Sequence, residues 1–213
     1  MENITHKAQR LTLTDLMRQL FKGILDPLGE FFNHLGIMPN TMTILGLIGN
    51  ILGAVLVSQG HLTLGGILVL IMGPVDALDG TMARLRGMAG QFGAFVDSVT
   101  DRYSELVILG GLIYYYSSQA NQLGVLLAYL AAAGSVLVSY IRSRGQSLGW
   151  DTKVGILTRM ERYLIIAPSL IFQIPMVGLW IIAIFANITA LQRIVDVRRQ
   201  AHHSQQNHTQ KSA

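Results

Sequence analysis

Six apolar stretches dominate this chain, at about residues 41–58, 63–85, 91–117, 122–145, 156–173 and 175–197. Each is near the ~20 residues with which an α-helix crosses ~30 Å of hydrocarbon. Backbone N–H and C=O groups find no water in that layer, so only helices or a closed barrel can cross it, and runs of this length read as helices. The expected fold is an all-α membrane protein of six transmembrane helices. Of the 213 residues, 51% are hydrophobic and 13% charged, and the mean hydropathy is +0.43. That composition leaves no room for a soluble second domain.

Ahead of the first span, residues 13–35 place Leu16, Leu20, Ile24, Leu28 and Phe31 at helical spacing with charges between them. Broken at Pro27, this segment reads as an amphipathic juxtamembrane helix lying on the bilayer, with a soluble cap on the bundle as the alternative. The chain thus divides into an N-terminal segment 1–39, a six-helix domain 40–199 and a tail 200–213. The tail is nearly devoid of apolar residues and is expected to be disordered, and its histidines are too dispersed for a metal site. Lys7, Arg10, Arg18 and Lys22 are not followed by an apolar h-region and a small-residue cleavage site, so no cleaved signal peptide is expected.

Charge placement orients the spans. The turns at 58–62, 117–122 and 172–175 contain no Lys, Arg, Asp or Glu, and all 16 basic and 12 acidic residues fall to the other side. By the positive-inside rule that side is the cytoplasm, which puts both termini and any charged chemistry there, in the cell membrane. The net charge of +4 comes from residues flanking apolar runs rather than from an aromatic-interleaved basic patch, so nucleic acid is not the expected partner. With no cysteine, a metal here must take oxygen or imidazole ligands.

Residues 76–101 carry two pairs of aspartates around a short basic turn, inside otherwise apolar sequence. A carboxylate in a membrane segment is costly unless paired or metal-bound. Asp76, Asp79, Gly80 and Ala83 fall on one face of the second span, and Gly93, Asp97 and Asp101 on one face of the third. The turn between them reads as short enough to make the two helices antiparallel neighbours, with Gly80, Ala83 and Gly93 letting the backbones approach closely. Four converging carboxylates raise one another's pKa unless cations intervene. All-oxygen ligation suits Mg²⁺ or Mn²⁺, and two ions on shared carboxylates would clamp a diphosphate. Arg84 stands one residue beyond Ala83, ready to neutralise phosphate charge.

The run Asp76-x-x-Asp79-Gly80-x-x-Ala83-Arg84, eight residues, then Gly93-x-x-x-Asp97-x-x-x-Asp101 resembles the complete defining motif of the CDP-alcohol phosphatidyltransferases. The resemblance implies that the four aspartates bind two Mg²⁺ or Mn²⁺ ions and that Asp101 is also the general base. It further implies that CDP-diacylglycerol is the donor, that membrane lipids surround a homodimer, and that a phosphatidyl group passes to an alcohol with release of CMP. Pro39-Asn40-Thr41-Met42-Thr43 is similar to the family's nucleotide-side segment, which assigns Asn40 and Thr43 to the nucleotide. A plain helix start with Asn40 as N-cap fits the same residues.

The motif leaves the acceptor open. Arg142, Arg144, Arg159, Arg162 and Arg193 form a second basic cluster at span ends, which reads as phosphate capture by guanidinium groups or as ordinary positive-inside flanking. Ser139 to Arg144 and Thr158 to Arg162 are similar to segments of the family's inositol-phosphate branch, although Arg142 stands where that branch usually has lysine and Gln146 where it often has glutamate. The resemblance therefore implies an acceptor-phosphate site of Ser139, Arg142, Arg159, Arg162 and Arg193, with inositol 1-phosphate as acceptor and glycerol 3-phosphate as the alternative. The rival from another class is an intramembrane divalent-cation transporter. Its path would continue in polar groups to the far side, which here is almost uncharged.

Overall fold

The computed structural model describes residues 13–88 and 90–211. Among the described residues the only regular secondary structure is α-helix: α1 Leu13–His34, α2 Pro39–Ser58, α3 Leu62–Leu85, α4 Gln91–Ser118, α5 Gln122–Ser147, α6 Arg159–Ile171 and α7 Pro175–Lys211. Helices α2, α3, α5 and the Pro175–His202 stretch of α7 are long and apolar enough to cross a membrane. Ile44, Leu52, Leu64, Ile71, Leu126 and Leu191 all point outward and are exposed. An outer surface this apolar belongs in lipid, so this is a membrane protein.

The six helices α2 to α7 close into a ring. Each packs against two others, in the cyclic order α2, α4, α5, α7, α6, α3, with α1 laid along α3. One core cluster, including Val69, Leu112, Leu127, Leu170 and Leu179, fills most of the interior. A smaller one of Leu25, Met42, Leu78 and Met82 ties α1 to the charged end of α2 and α3. Close approach of α2 and α3 depends on Gly65, where a Cβ would lie 2.8 Å from the Gly53 carbonyl oxygen and 2.6 Å from the Val57 side chain.

Several expectations need revising. Helices α3 and α4 do not pack along one another; both pack along α2. Gly80 and Gly93 are accordingly not contact points, since a Cβ at Gly93 would meet nothing within 4 Å and one at Gly80 only the Arg84 side chain at 3.6 Å. Helix α1 is not broken at Pro27 but runs through it. The carbonyl that Pro27 leaves without a donor is that of Gly23, which is exposed and free to bind solvent. The side chains of Leu16, Leu20 and Ile24 lie outside the described residues, as do residues 1–12. The stretch 156–173 is helical only from Arg159 to Ile171, about 20 Å of helix. Its start is set by Glu161, whose carboxylate accepts the Thr158 backbone N–H at 2.8 Å and also the Thr158 hydroxyl. Helix α7 continues to Lys211 through a segment expected to be disordered, because no glycine or proline follows Gly178 to end it.

Gly65→Ala is expected to destabilise the bundle by ~1–3 kcal/mol, the usual penalty of forcing atoms into a packed contact. Gly93→Ala should leave the melting temperature of detergent-purified protein unchanged. Equal loss in the two variants would contradict the packing described.

Candidate metal and phosphate site

The carboxylates converge at the charged end of the ring. Asp76 on α3 and Asp97 and Asp101 on α4 each offer an oxygen, and the three oxygens lie within 4.8 Å of one another. Asp76 and Asp101 are buried, Asp97 half-buried. Asp79 is turned to α2 instead. Its Oδ2 accepts the Thr43 hydroxyl at 2.5 Å and its Oδ1 the Gly80 N–H at 2.5 Å. The sequence leads one to expect four converging carboxylates, and the structure groups three, with the fourth held beside them by Thr43.

Arg159 balances the cluster. Its Nη2 donates to Asp76 Oδ2 at 2.6 Å and lies 2.6 Å from Asp101 Oδ1, the latter contact without hydrogen-bond alignment. Arg102 is farther off, 4.0 Å from Asp101 Oδ2. One guanidinium therefore bridges carboxylates of α3 and α4 from α6. Helix α6 is brought there by Tyr163, whose hydroxyl donates to the Val69 carbonyl. The ring of Tyr163 lies so close to Gly73 that a Cβ there would stand 2.7 Å from it.

Behind the carboxylates is a cavity lined by Asn50, Met72, Asp76, Asp101, Ser104 and Glu105 together with residues of α6 and α7. The Asp76 Oδ1, Asn50 Oδ1 and Ser104 Oγ atoms are buried without a hydrogen-bond partner. Buried oxygens left unpaired beside a carboxylate cluster call for a ligand or water. The donor set is all oxygen, and the open space at Gly93 leaves the backbone beside Asp97 accessible. These residues fit Mg²⁺ or Mn²⁺, hard ions that take oxygen ligands.

The other candidate residues are more dispersed. Asn40 is exposed and is not the N-cap; that position is Met38, because Pro39 takes the first helical turn, where its missing N–H goes unneeded. Arg84 is exposed on the open side, its Nη2 donating to Thr81 Oγ1 at 2.8 Å, and Ala83 is half-buried beside it. Ser139 is half-buried and Arg142 exposed at the end of α5. Arg193 is buried and donates to the carbonyls of Val138, at 2.6 Å, and Val154, at 3.0 Å. Arg162 departs furthest from expectation. It is 2% exposed and paired with Glu105 on the wall of the same cavity, because it sits one turn deeper than Arg159 and meets a carboxylate there. Sequence reasoning missed Glu105, yet its signal was present: it follows Asp101 by the same four residues that separate Asp97 from Asp101.

Fold and site together define a helical membrane protein with a cluster of oxygen donors at the charged end of a closed ring of helices. The family model of the CDP-alcohol phosphatidyltransferases matches residues 36–195, and the chain belongs to that family of enzymes. It is 34% identical over 206 residues to the phosphatidylinositol phosphate synthase of Streptomyces avermitilis, covering 89% of this chain and 84% of that protein. With the archaetidylinositol phosphate synthase of Pyrococcus horikoshii it shares 33% identity over 190 residues, 86% of this chain and 96% of that one. The crystal structure of Mycobacterium tuberculosis phosphatidylinositol phosphate synthase with CDP-DAG bound superposes with a TM-score of 0.77 at 29% identity, covering 82% of this chain and 93% of that one. The same protein has also been solved with manganese and citrate.

Asp76→Asn, Asp97→Asn and Asp101→Asn are each expected to weaken Mn²⁺ binding at least about tenfold, measured by titration of the purified protein. Wild-type affinity in all three would remove the cluster as the metal site.

Proposed function

We propose that this protein transfers a phosphatidyl group from CDP-diacylglycerol, or its ether-lipid analogue, to a phosphorylated alcohol, inositol 1-phosphate, releasing CMP in phospholipid biosynthesis. The observation that carries this reading is the meeting of Asp76, Asp97 and Asp101 with Arg159 at the charged end of the bundle. Two relatives that match most of the chain bear the name of inositol-phosphate lipid synthases.

In this reading six helices, α2 to α7, span the bilayer, the short α6 with Arg159 at its cytoplasmic end. The amphipathic helix α1 lies on the bilayer surface, where Leu28 and Phe31 are exposed. Both termini and the site face the cytoplasm, since the opposite turns carry no charged residue. A homodimer is inferred from the family resemblance.

Asp76, Asp79, Asp97 and Asp101 would hold the divalent ions. Bound there, such ions supply charge to the pyrophosphate and to the phosphate that departs. Asn40, Thr43, Gly80, Ala83, Arg84 and Gly93 border the nucleotide, with the open backbone at Gly93 admitting it beside Asp97. Arg159, Arg142 and Ser139 receive the acceptor phosphate, and Arg193 borders them through its bond to the carbonyl of Val138, the residue before Ser139. Asp101 takes the proton from the acceptor hydroxyl. The acceptor oxygen then bonds to the phosphorus bearing the lipid, and the bond from that phosphorus to the CMP oxygen breaks, so CMP leaves with the bridging oxygen.

The test is CMP release by the purified protein with CDP-diacylglycerol and Mg²⁺ or Mn²⁺, offered inositol 1-phosphate, glycerol 3-phosphate, serine or no acceptor. Release with inositol 1-phosphate, abolished in Asp97→Asn, is expected. Release with glycerol 3-phosphate alone would change the acceptor, and no metal-dependent release with any acceptor would overturn the reading. Arg159→Gln is expected to raise KM for the acceptor at least about tenfold while KM for CDP-diacylglycerol changes little, the pattern of a lost charge-assisted phosphate contact.

A further inference from the structure

The pair formed by Arg162 and Glu105 has no part in the chemistry described so far, yet it is the most fully enclosed ion pair among the described residues. Arg162 Nε donates to Glu105 Oε1 at 2.6 Å and Nη2 to Oε2 at 2.9 Å, two bonds between one guanidinium and one carboxylate, while Nη1 reaches the Leu157 carbonyl at 3.3 Å. Stability alone does not explain such a pair. Desolvation of two buried charges offsets much of their attraction, and apolar residues of similar size often serve as well. What a bidentate pair does supply is direction, because its planar fork fixes both the distance and the rotation of the elements that carry it.

The same two helices meet twice. Arg159 and Arg162 stand three residues apart on α6, and Asp101 and Glu105 four apart on α4, so Arg159 falls on Asp101 and Arg162 on Glu105. The second contact sets the register of the first. Helix α6 needs such a reference, since it has only 13 residues and follows an extended segment. That segment is pinned upstream by Thr189 Oγ1, which accepts the N–H groups of Ile156 at 3.2 Å and Leu157 at 3.1 Å.

We propose that Glu105 is a positioning residue: through Arg162 it fixes the register of α6 against α4 and so holds the Arg159 guanidinium on Asp76 and Asp101, the place for which a divalent ion competes. The inference rests on the reading above, that these carboxylates hold the ions and that Arg159 serves the acceptor phosphate. Loosening the pair frees Arg159. The ions then meet a weaker competitor and bind more tightly, while the acceptor meets a misaimed guanidinium and binds more weakly. Losing the negative charge of Glu105 by itself would act oppositely on the metal, weakening its binding.

The experiment measures Mn²⁺ binding by electron paramagnetic resonance, and acceptor KM and kcat by CMP release, on the full chain. Glu105→Gln is expected to tighten Mn²⁺ binding about fivefold and to raise acceptor KM about tenfold with kcat nearly unchanged, within the usual range of coupling between sites. Both effects should vanish in the Arg159→Gln background, since residues acting through one another are non-additive. The double replacement E105L/R162M removes both charges, is expected to keep the fold as apolar replacements of buried ion pairs often do, and should give the same signature; it carries the test where E105Q yields no folded protein. Unchanged or weaker Mn²⁺ binding, full additivity with Arg159→Gln, or wild-type behaviour of E105L/R162M would each overturn the proposal. Were no phosphorylated alcohol turned over, the proposed function would fail, while the Mn²⁺ titrations would still decide the role of Glu105.

Discussion

Everything at the charged end of this bundle answers to the mutual repulsion of Asp76, Asp97 and Asp101. Three carboxylates with oxygens within 4.8 Å of one another are unfavourable in a medium less polar than water unless positive charge stands among them. The chain provides one such charge itself, the Arg159 guanidinium, bound at 2.6 Å to Asp76 and 2.6 Å from Asp101. One monovalent group against three carboxylates leaves an excess of negative charge, and in the proposed function that excess would be met by divalent ions and, behind them, by the pyrophosphate of a nucleotide-activated lipid.

The ring of helices serves this constraint. Asp76 comes from α3, Asp97 and Asp101 from α4, and Arg159 from α6, three helices that approach one another because α2 lies between α3 and α4 while α6 packs on α3. The close fit of Tyr163 against Gly73 and its bond to the Val69 carbonyl fasten α6 to α3. The pair of Arg162 with Glu105 fastens it to α4. The carboxylates and Arg159 are thus held together by contacts outside the cluster itself, and in the inference proposed above a change in one of them acts through the position of Arg159.

Much of this was legible in the sequence, and for physical reasons. Backbone hydrogen-bond satisfaction in lipid forces apolar runs into helices, so the helix limits at 58, 85, 118 and 175 follow from the turns between the runs. Carboxylates in apolar sequence announce a site because burial without a partner is so costly. Periodicity says which residues share a face of a helix, but not which helix that face meets. Helix α2 therefore came between α3 and α4 unannounced, and Gly80 and Gly93 border open space rather than a packed contact. The arginines were ambiguous for the same reason. Arg159 and Arg162 look alike in sequence and differ only in depth along α6, and that depth pairs one with Asp76 and Asp101 and the other with Glu105. Thr43, expected to border the nucleotide, also donates its hydroxyl to Asp79, a contact that periodicity does not reveal.

The most direct measurement is the anomalous diffraction of crystals grown with Mn²⁺. The expected map has its strongest peaks at ligand distance from Asp76, Asp97 and Asp101, with the Arg159 guanidinium withdrawn from Asp101. Strong peaks elsewhere in the molecule, with Arg159 still bridging Asp76 and Asp101, would contradict the central claim that this cluster is built for divalent ions.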